Sequence, residues 1–435
     1  MLPELLYPDT HGVDPRVTRR RFLSFLSTAA VGVAVSPLLA ACESEPAPRE
    51  RDWEAWWRSQ EQAGVVDFAN WPYYIDRRSD DSHPSLELFT RDTGVQVDYH
   101  RPIRDNATFL SKIRPTLAAG RPIGYDLIVI TNGPELSELI RNEWLTPLDH
   151  DRLPHSFANA SPAVRNPVWD PDHEYTIAWQ SGLTGIAYRP EAETALGRTP
   201  SSLRDLFDPA LAGRVGMLSD LMDLGSAALL VTGVDPAASE PSQWTDASAL
   251  LAEQRYSGIV RKYYDQGYLG ALQRGDIWIA QAWSGDIYQA NRLGHPELRF
   301  VVPEEGAILW TDNMAIPRQA QHPVDATMLM DFVYRPPVAA LIADWVWYVC
   351  PVPRAQRIVR DVLGDEQVAD SPLVFPGEDL LGEAVTEDWL NDDGETVERT
   401  TLVGSSFHSY PVLAEPESQR VWERIFAPIV PAGGP

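Results

Sequence analysis

The stretch EGAILWTDNMAIP, residues 305–317, carries an aromatic and an acid where a plain buried strand would carry aliphatic side chains. If Ile308–Met314 run extended, side chains two apart point the same way, so Trp310 and Asp312 share one face. A buried indole is ordinary. A buried carboxylate persists only where something positive or hydrogen-bonding meets it. The same combination recurs along the chain. NWPYYID brings Trp71, Tyr73 and Tyr74 to a strand end, AWSGDIY ends a strand on Trp283 and turns at Ser284-Gly285, and LSDLMDLGS spaces Asp220 and Asp223 three apart, able to share one helical face. Each has a plain structural explanation, a core tryptophan or a solvated helix face. Together, flat apolar rings beside carboxylates suit the recognition of a ligand.

Machinery for turnover is not visible. There is no Walker loop, GxGxxG, HExxH or GxSxG, the nine histidines lack metal-ligand spacing, and Ser181 in WQSGLTG stands on a Gly-rich loop without a nucleophile elbow. The expectation is a protein with no catalytic residues, no metal and no cofactor. Its 62 acids against 36 Lys and Arg give a formal net charge of −26, the wrong sign for nucleic-acid phosphates and a field that favours cations.

The elements that must position these residues read as α/β. With 435 residues, 44% of them apolar, the chain is long enough for two cores. Strand and helix alternate through VVDFANW, PSLELFTRDTG, VQVDYH, YDLIVIT and PELSELIRNEWL, and again through TGIAYRP, RVGML, SAALLVTG and DIWIAQAW. Such alternation predicts lobes with mostly parallel sheets, and ligand sites in them lie at the carboxyl edge of the strands. Residues 363 to about 412 read as an acidic, irregular surface extension. Cys350, in WVWYVCPVP, reads as core packing.

The N-terminus reads as an address. Arg19 and Arg20 precede an apolar run from Ser27 to Leu39, the layout of a twin-arginine export signal. Leu39-Ala40-Ala41-Cys42 resembles a bacterial lipobox, in which the sulfur of Cys42 takes a lipid. Removing residues 1–41 takes away four arginines and three acids, so the acidity belongs to the mature chain. The expected place is extracytoplasmic, anchored to the cell membrane as a lipoprotein, in a periplasmic space or at the cell surface.

FANWPYYID, YDLIVIT, WQSGLTGIAY, AWSG and EGAILWTDNMAIP stand in the order seen in spermidine/putrescine-binding proteins of ABC transporters, which residues 63–358 resemble. The resemblance implies a two-lobed periplasmic-binding-protein-like (type II) fold with a ligand cleft between lobes joined by crossing strands. After the signal at 1–41 and a polar tether at 42–62, the expected lobes are 63–184 plus 311–352 and 185–310 plus 353–435. Trp71 and Tyr74 would line one wall, Trp283 and Trp310 would stack on a polyamine's methylene chain, Asp312 would meet an ammonium, and Asp220 and Asp223 would receive an end amine. The implied partners are a permease and its ATPase, with no nucleic acid and a monomeric chain. Two departures stand out: NGPEL replaces a tyrosine pair usual after the YDLIVIT strand, and the segment after Asp223 is a residue shorter. The alternatives are the same fold with a quaternary amine, basic amino acid or sugar, a surface glycosidase, or an adhesion lipoprotein.

Overall fold

The computed structural model describes residues 51–377, 383–390, 396–403, 407–413 and 415–430; Arg19, Arg20 and Cys42 lie outside the described residues. The strands are β1 (Val65–Ala69), β2 (Gln96–His100), β3 (Leu127–Thr131), β4 (Thr176–Tyr188), β5 (Val215–Leu218), β6 (Val260–Tyr264), β7 (Ile279–Trp283), β8 (Arg299–Val301), β9 (Ala307–Ala315), β10 (Glu383–Leu390), β11 (Thr396–Val403) and β12 (Phe407–Ser409). β1 pairs in parallel with β2 and β3, and β5 pairs in parallel with β6 and β7. Helices such as Pro84–Thr93, stopped by Gly94 at φ 77°, return the chain between parallel neighbours.

Two antiparallel strands join the parallel groups, giving the order β2-β1-β3-β9-β4-β7-β5-β6. The end of β9, Asp312–Ala315, pairs with β3, while its start, Ala307–Leu309, pairs with β12. β4 pairs with β9 over Thr176–Thr184 and with β7 over Thr184–Tyr188. β9 therefore joins the β3 group and β4 the β7 group, and the sheet is parallel at its flanks but antiparallel where these two strands run side by side. A third segment follows at Val349, which exchanges backbone hydrogen bonds with Ser181. The two lobes share these crossings.

Local chemistry fixes the crossing geometry. Ala178 pairs with Asn313 and Gln180 with Asp312, so Trp179 is an extra residue, a bulge that turns its ring into the core. Its indole donates to the Tyr74 carbonyl at 3.2 Å. Gly182 lies opposite Trp310, and a Cβ there would stand 2.3 Å from Trp310 Cζ2. Gly285 likewise faces the Tyr348 ring, with a Cβ only 2.4 Å from Cε2. It opens the helix Ser284–Arg292, which starts directly after Trp283; no turn intervenes, because the glycine serves a close contact and not a change of direction.

Part of the 363–412 stretch is regular. β10 and β11 form an antiparallel hairpin, and β12 adds to β9. Beyond it, the helix Pro416–Phe426 packs Trp422 onto Gly225 and edge-on to Trp244, at 5.1 Å between ring centroids. Cys350 is buried, and burial pushes its thiol up to about 12, in keeping with core packing.

Gly182→Ala is expected to lower stability by about 1–3 kcal/mol, the usual cost of overpacking. A denaturant midpoint unchanged from wild type would contradict the close approach of Trp310.

Candidate functional site

A cavity of about 580 Å³ opens where the carboxyl ends of β1, β3, β5, β6 and β7 converge on the middle of β9. Parallel strands of an α/β lobe end in loops and helix N-termini at this edge, where polar groups remain unspent. Trp71, Tyr74, Asp220, Asp223, Trp283, Trp310 and Asp312 all line the cavity. Trp310 and Asp312, read from the sequence as sharing a face of one strand, do so on β9.

Asp312 is 3% exposed and sits at the crossing. Its carboxylate accepts from Thr131 Oγ1 at 2.6 Å, and Asn106 Nδ2 donates to Thr131 Oγ1 at 2.9 Å. Burial raises its pKa to about 6, against the lowering effect of the Thr131 and Tyr74 hydroxyls. The Tyr74 hydroxyl faces this carboxylate, whose charge raises the tyrosine pKa second to burial. Tyr73, just before it, holds φ 58° and is 53% exposed, so the loop sends one tyrosine to the rim and the next inward.

Asp223 is held more tightly. It accepts from Thr184 Oγ1 at 2.6 Å, Tyr410 Oη at 2.7 Å and Trp283 Nε1 at 2.9 Å. Thr184 Oγ1 in turn accepts from Trp310 Nε1 at 3.0 Å, which links the two indoles through one carboxylate. Burial first, and the Asp220 charge second, raise Asp223 to about 7. Asp220 departs from the sequence reading of two acids on one helical face. It is the N-cap of Leu221–Val231, in extended conformation, and accepts from the backbone of Met222 and Asp223 at 2.8 and 3.0 Å. The capping preference of aspartate outweighs the spacing.

Aromatic rings bridge the acids. Trp283 and Trp310 lie edge-on at 6.4 Å, Trp310 and Tyr348 at 5.5 Å, and Tyr348 and Tyr74 edge-on at 5.1 Å. Among the described residues, the lining acids besides Asp220, Asp223 and Asp312 are Asp105, Glu135, Asp265, Asp286 and Glu423, against the single basic group of Arg104. The site offers flat apolar faces and anionic oxygens, with neutral donors fixing where the oxygens point.

Sequence patterns missed several of these groups. Tyr348 lay hidden in an apolar run, Tyr410 in the stretch read as a surface extension, and Thr184 and Asp286 within quoted motifs but without assigned roles. Glu135 is the residue that NGPEL supplies in place of aromatic rings. Burial, then the charge of Asp220, raises it to about 7.

The desolvation of Asp312 has a measurable sign. A folded pKa of about 6, above the ordinary aspartate value, means that its contribution to stability is lost as pH rises through that window. Asp312→Asn is therefore expected to raise the thermal midpoint of the ligand-free protein at pH 7.5, by roughly 2–3 kcal/mol of stability as an upper figure, with the gain vanishing near pH 4. A lower midpoint than wild type across the whole range would make Asp312 a structural residue.

The profile of the family described as bacterial extracellular solute-binding protein matches residues 124–381, more than half of the chain. The spermidine/putrescine-binding periplasmic protein 1 of Haemophilus influenzae is 26% identical over 313 residues, 72% of this chain and 82% of that one. The spermidine/putrescine-binding periplasmic protein of Escherichia coli K12 is 26% identical over 328 residues, 75% of this chain and 86% of its own. In three dimensions, the substrate-binding protein of a spermidine/putrescine ABC transporter from Streptococcus pneumoniae superposes with a TM-score of 0.64 at 20% identity, covering 84% of this chain and 98% of that one, a likeness of fold. With its cleft at the strand edge and two lobes joined by crossing strands, the chain belongs to the bacterial extracellular solute-binding protein family.

Proposed function

We propose that this protein is the extracytoplasmic receptor of an ABC importer and captures a polyamine, spermidine or putrescine, for delivery to the permease. One observation carries the reading: Asp223 and Asp312 are buried within an aromatic cleft, each held by hydroxyl or indole donors and neither paired with a basic side chain among the described residues. A polyamine is a chain of methylenes interrupted by ammonium ions. It fills an apolar slot and supplies the missing charge. Trp71, Tyr74, Trp283 and Trp310 offer ring faces, worth roughly 1–2 kcal/mol each to a desolvated cation. Asp220, Asp223 and Asp312 take the ammonium groups. The relatives named as spermidine/putrescine-binding proteins support this choice of ligand.

In this reading the chain is not an enzyme, since ligand capture and release complete its task. ATP hydrolysis belongs to the partner ATPase. Twin-arginine export and a lipid on Cys42 would keep the monomer beside its permease. The lobes are 63–184 with 311–352, and 185–310 with 353–435. A ligand held by groups of both lobes favours their closed arrangement by its differential affinity, and net acidity hastens capture at low salt.

Calorimetric titration tests the proposal. Spermidine and putrescine are expected to bind, betaine and arginine to bind far more weakly, and Asp312→Asn to weaken polyamine binding more than tenfold. An absence of polyamine binding by the wild-type protein would end it. Because binding requires carboxylates that titrate at about 7 and about 6, affinity should fall as pH is lowered from 8 to 5, by about 100-fold or more. A flat profile over that range would show that these two groups do not hold the cation.

A further inference from the structure

Two carboxylates and an imidazole meet outside the cleft, and the reading above gives them no role. Asp67 is central in β1, Asp126 stands one residue before β3, and His322 is the N-cap of the helix Pro323–Phe332. One ligand atom from each, two carboxylate oxygens and a ring nitrogen, lie within 4.8 Å of one another. None of the three is among the described residues that line the cavity. Asp67 and Asp126 are 59 positions apart in the chain, and Asp126 and His322 are 196 apart. Histidine spacing read along the sequence therefore carries no trace of this cluster.

Backbone groups fix the carboxylates in place. Asp67 N donates to Asp126 Oδ2 at 3.0 Å, and Asp126 N returns a bond to the Asp67 carbonyl at 2.8 Å. Asp126 Oδ1 accepts from the backbone of Gln321 and His322 at 2.8 and 2.9 Å, which leaves Oδ2 facing the imidazole, 2.7 Å from Nδ1. His100 Nε2 lies 2.9 Å from Asp67 Oδ1, and its ring packs on Tyr125 at 5.4 Å between centroids. Asp67 is thus oriented from behind, as outer partners orient the ligands of a metal. Access is from one side, since the Asp126 side chain is 4% exposed, that of His322 24% and that of Asp67 32%.

The charges do not balance within the protein. Among the described residues, Asp67 and Asp126 meet imidazoles and no arginine or lysine, whereas an acid such as Glu138 is taken up by Arg114. Imidazole binds metal in its neutral form, and Nδ1 is a free lone pair once the proton sits on Nε2. A divalent cation brings the two positive charges that two carboxylates require. In a tetrahedral zinc site the ligand atoms stand about 3.3 Å apart. The spacings here, from 2.7 Å to at most 4.8 Å, bracket that value.

We propose that Asp67, Asp126 and His322 form a binding site for a divalent transition-metal cation of the zinc class, with His100 orienting Asp67 and water completing the coordination. Mixed oxygen and nitrogen ligands favour such an ion over calcium, which takes six or more oxygens. Bound there, it joins β1, the entry to β3 and the helix Pro323–Phe332, and stabilises this part of the fold by mass action. The proposal is independent of the polyamine reading.

The test titrates the chelator-treated protein with zinc chloride and, separately, with calcium chloride, by calorimetry and thermal melting. Zinc is expected to bind and to raise the thermal midpoint, and calcium at the same concentration to do neither. His322→Gln and Asp67→Asn should each weaken zinc binding at least tenfold and remove most of the rise, with near-UV circular dichroism showing that tertiary packing is kept. If His322→Gln fails to fold, Asp67→Asn, at a more exposed position, provides the decision. Absence of zinc binding by wild type overturns the proposal. Zinc binding of equal strength in the folded variants, which would place the ion elsewhere, overturns it too, as does calcium binding as tight as zinc.

Discussion

The structure depends on carboxylates held out of water with no basic side chain beside them among the described residues. Asp312 and Asp223 are 3% and 1% exposed, and their partners are hydroxyls, an indole and each other's neighbours. Neutral donors fix direction but offset only part of the lost hydration, which is why both groups titrate above the ordinary aspartate range. The remainder must come from packing elsewhere. The deep apolar core on both flanks of the sheet, including the nearly all-buried helix Leu221–Val231 behind Asp223, supplies it. A cation entering the cleft returns the missing interaction, so the ligand-free site stores part of the free energy of binding as desolvated charge.

The same residues lie where the lobes join. Asp312 is in the middle of β9, opposite Gln180 on β4 and Thr131 on β3, where β9 takes up β3 as its second neighbour. Thr184, which orients Asp223, lies where β4 changes partner from β9 to β7. Gln289 reaches from the helix after Trp283 to the carbonyls of Tyr73 and Val346 at 3.3 and 2.9 Å, connecting the rim of one wall to the other.

Much of this was legible in the sequence where a short period or a strong local rule decides. The two-residue period of β9 placed Trp310 and Asp312 together, and the strand ends at Trp71 and Trp283 placed their rings at the carboxyl edge. Asp220 was misplaced by one structural role, because the i, i+3 spacing that suits a helix face also suits an N-cap followed by its N3 residue. Gly285 was read as a turn because nothing local reveals that Tyr348, 63 positions along the chain, lies against it. Tyr410 and Tyr348 reach the cleft through tertiary packing alone, and Asp286 is recognisable as a cleft acid only once the hydroxyls that aim it are seen. Long-range placement of single side chains leaves no periodic trace.

The stored charge can be measured directly by carbon-13 NMR titration of the aspartate carboxyl groups. In the ligand-free protein Asp223 and Asp312 should titrate at about 7 and about 6, and both should move into or below the ordinary carboxylate range when polyamine saturates the cleft. Ordinary values near 3.9 for both groups in the empty protein would contradict the account, since the cleft would then hold no charge that a cation is needed to balance.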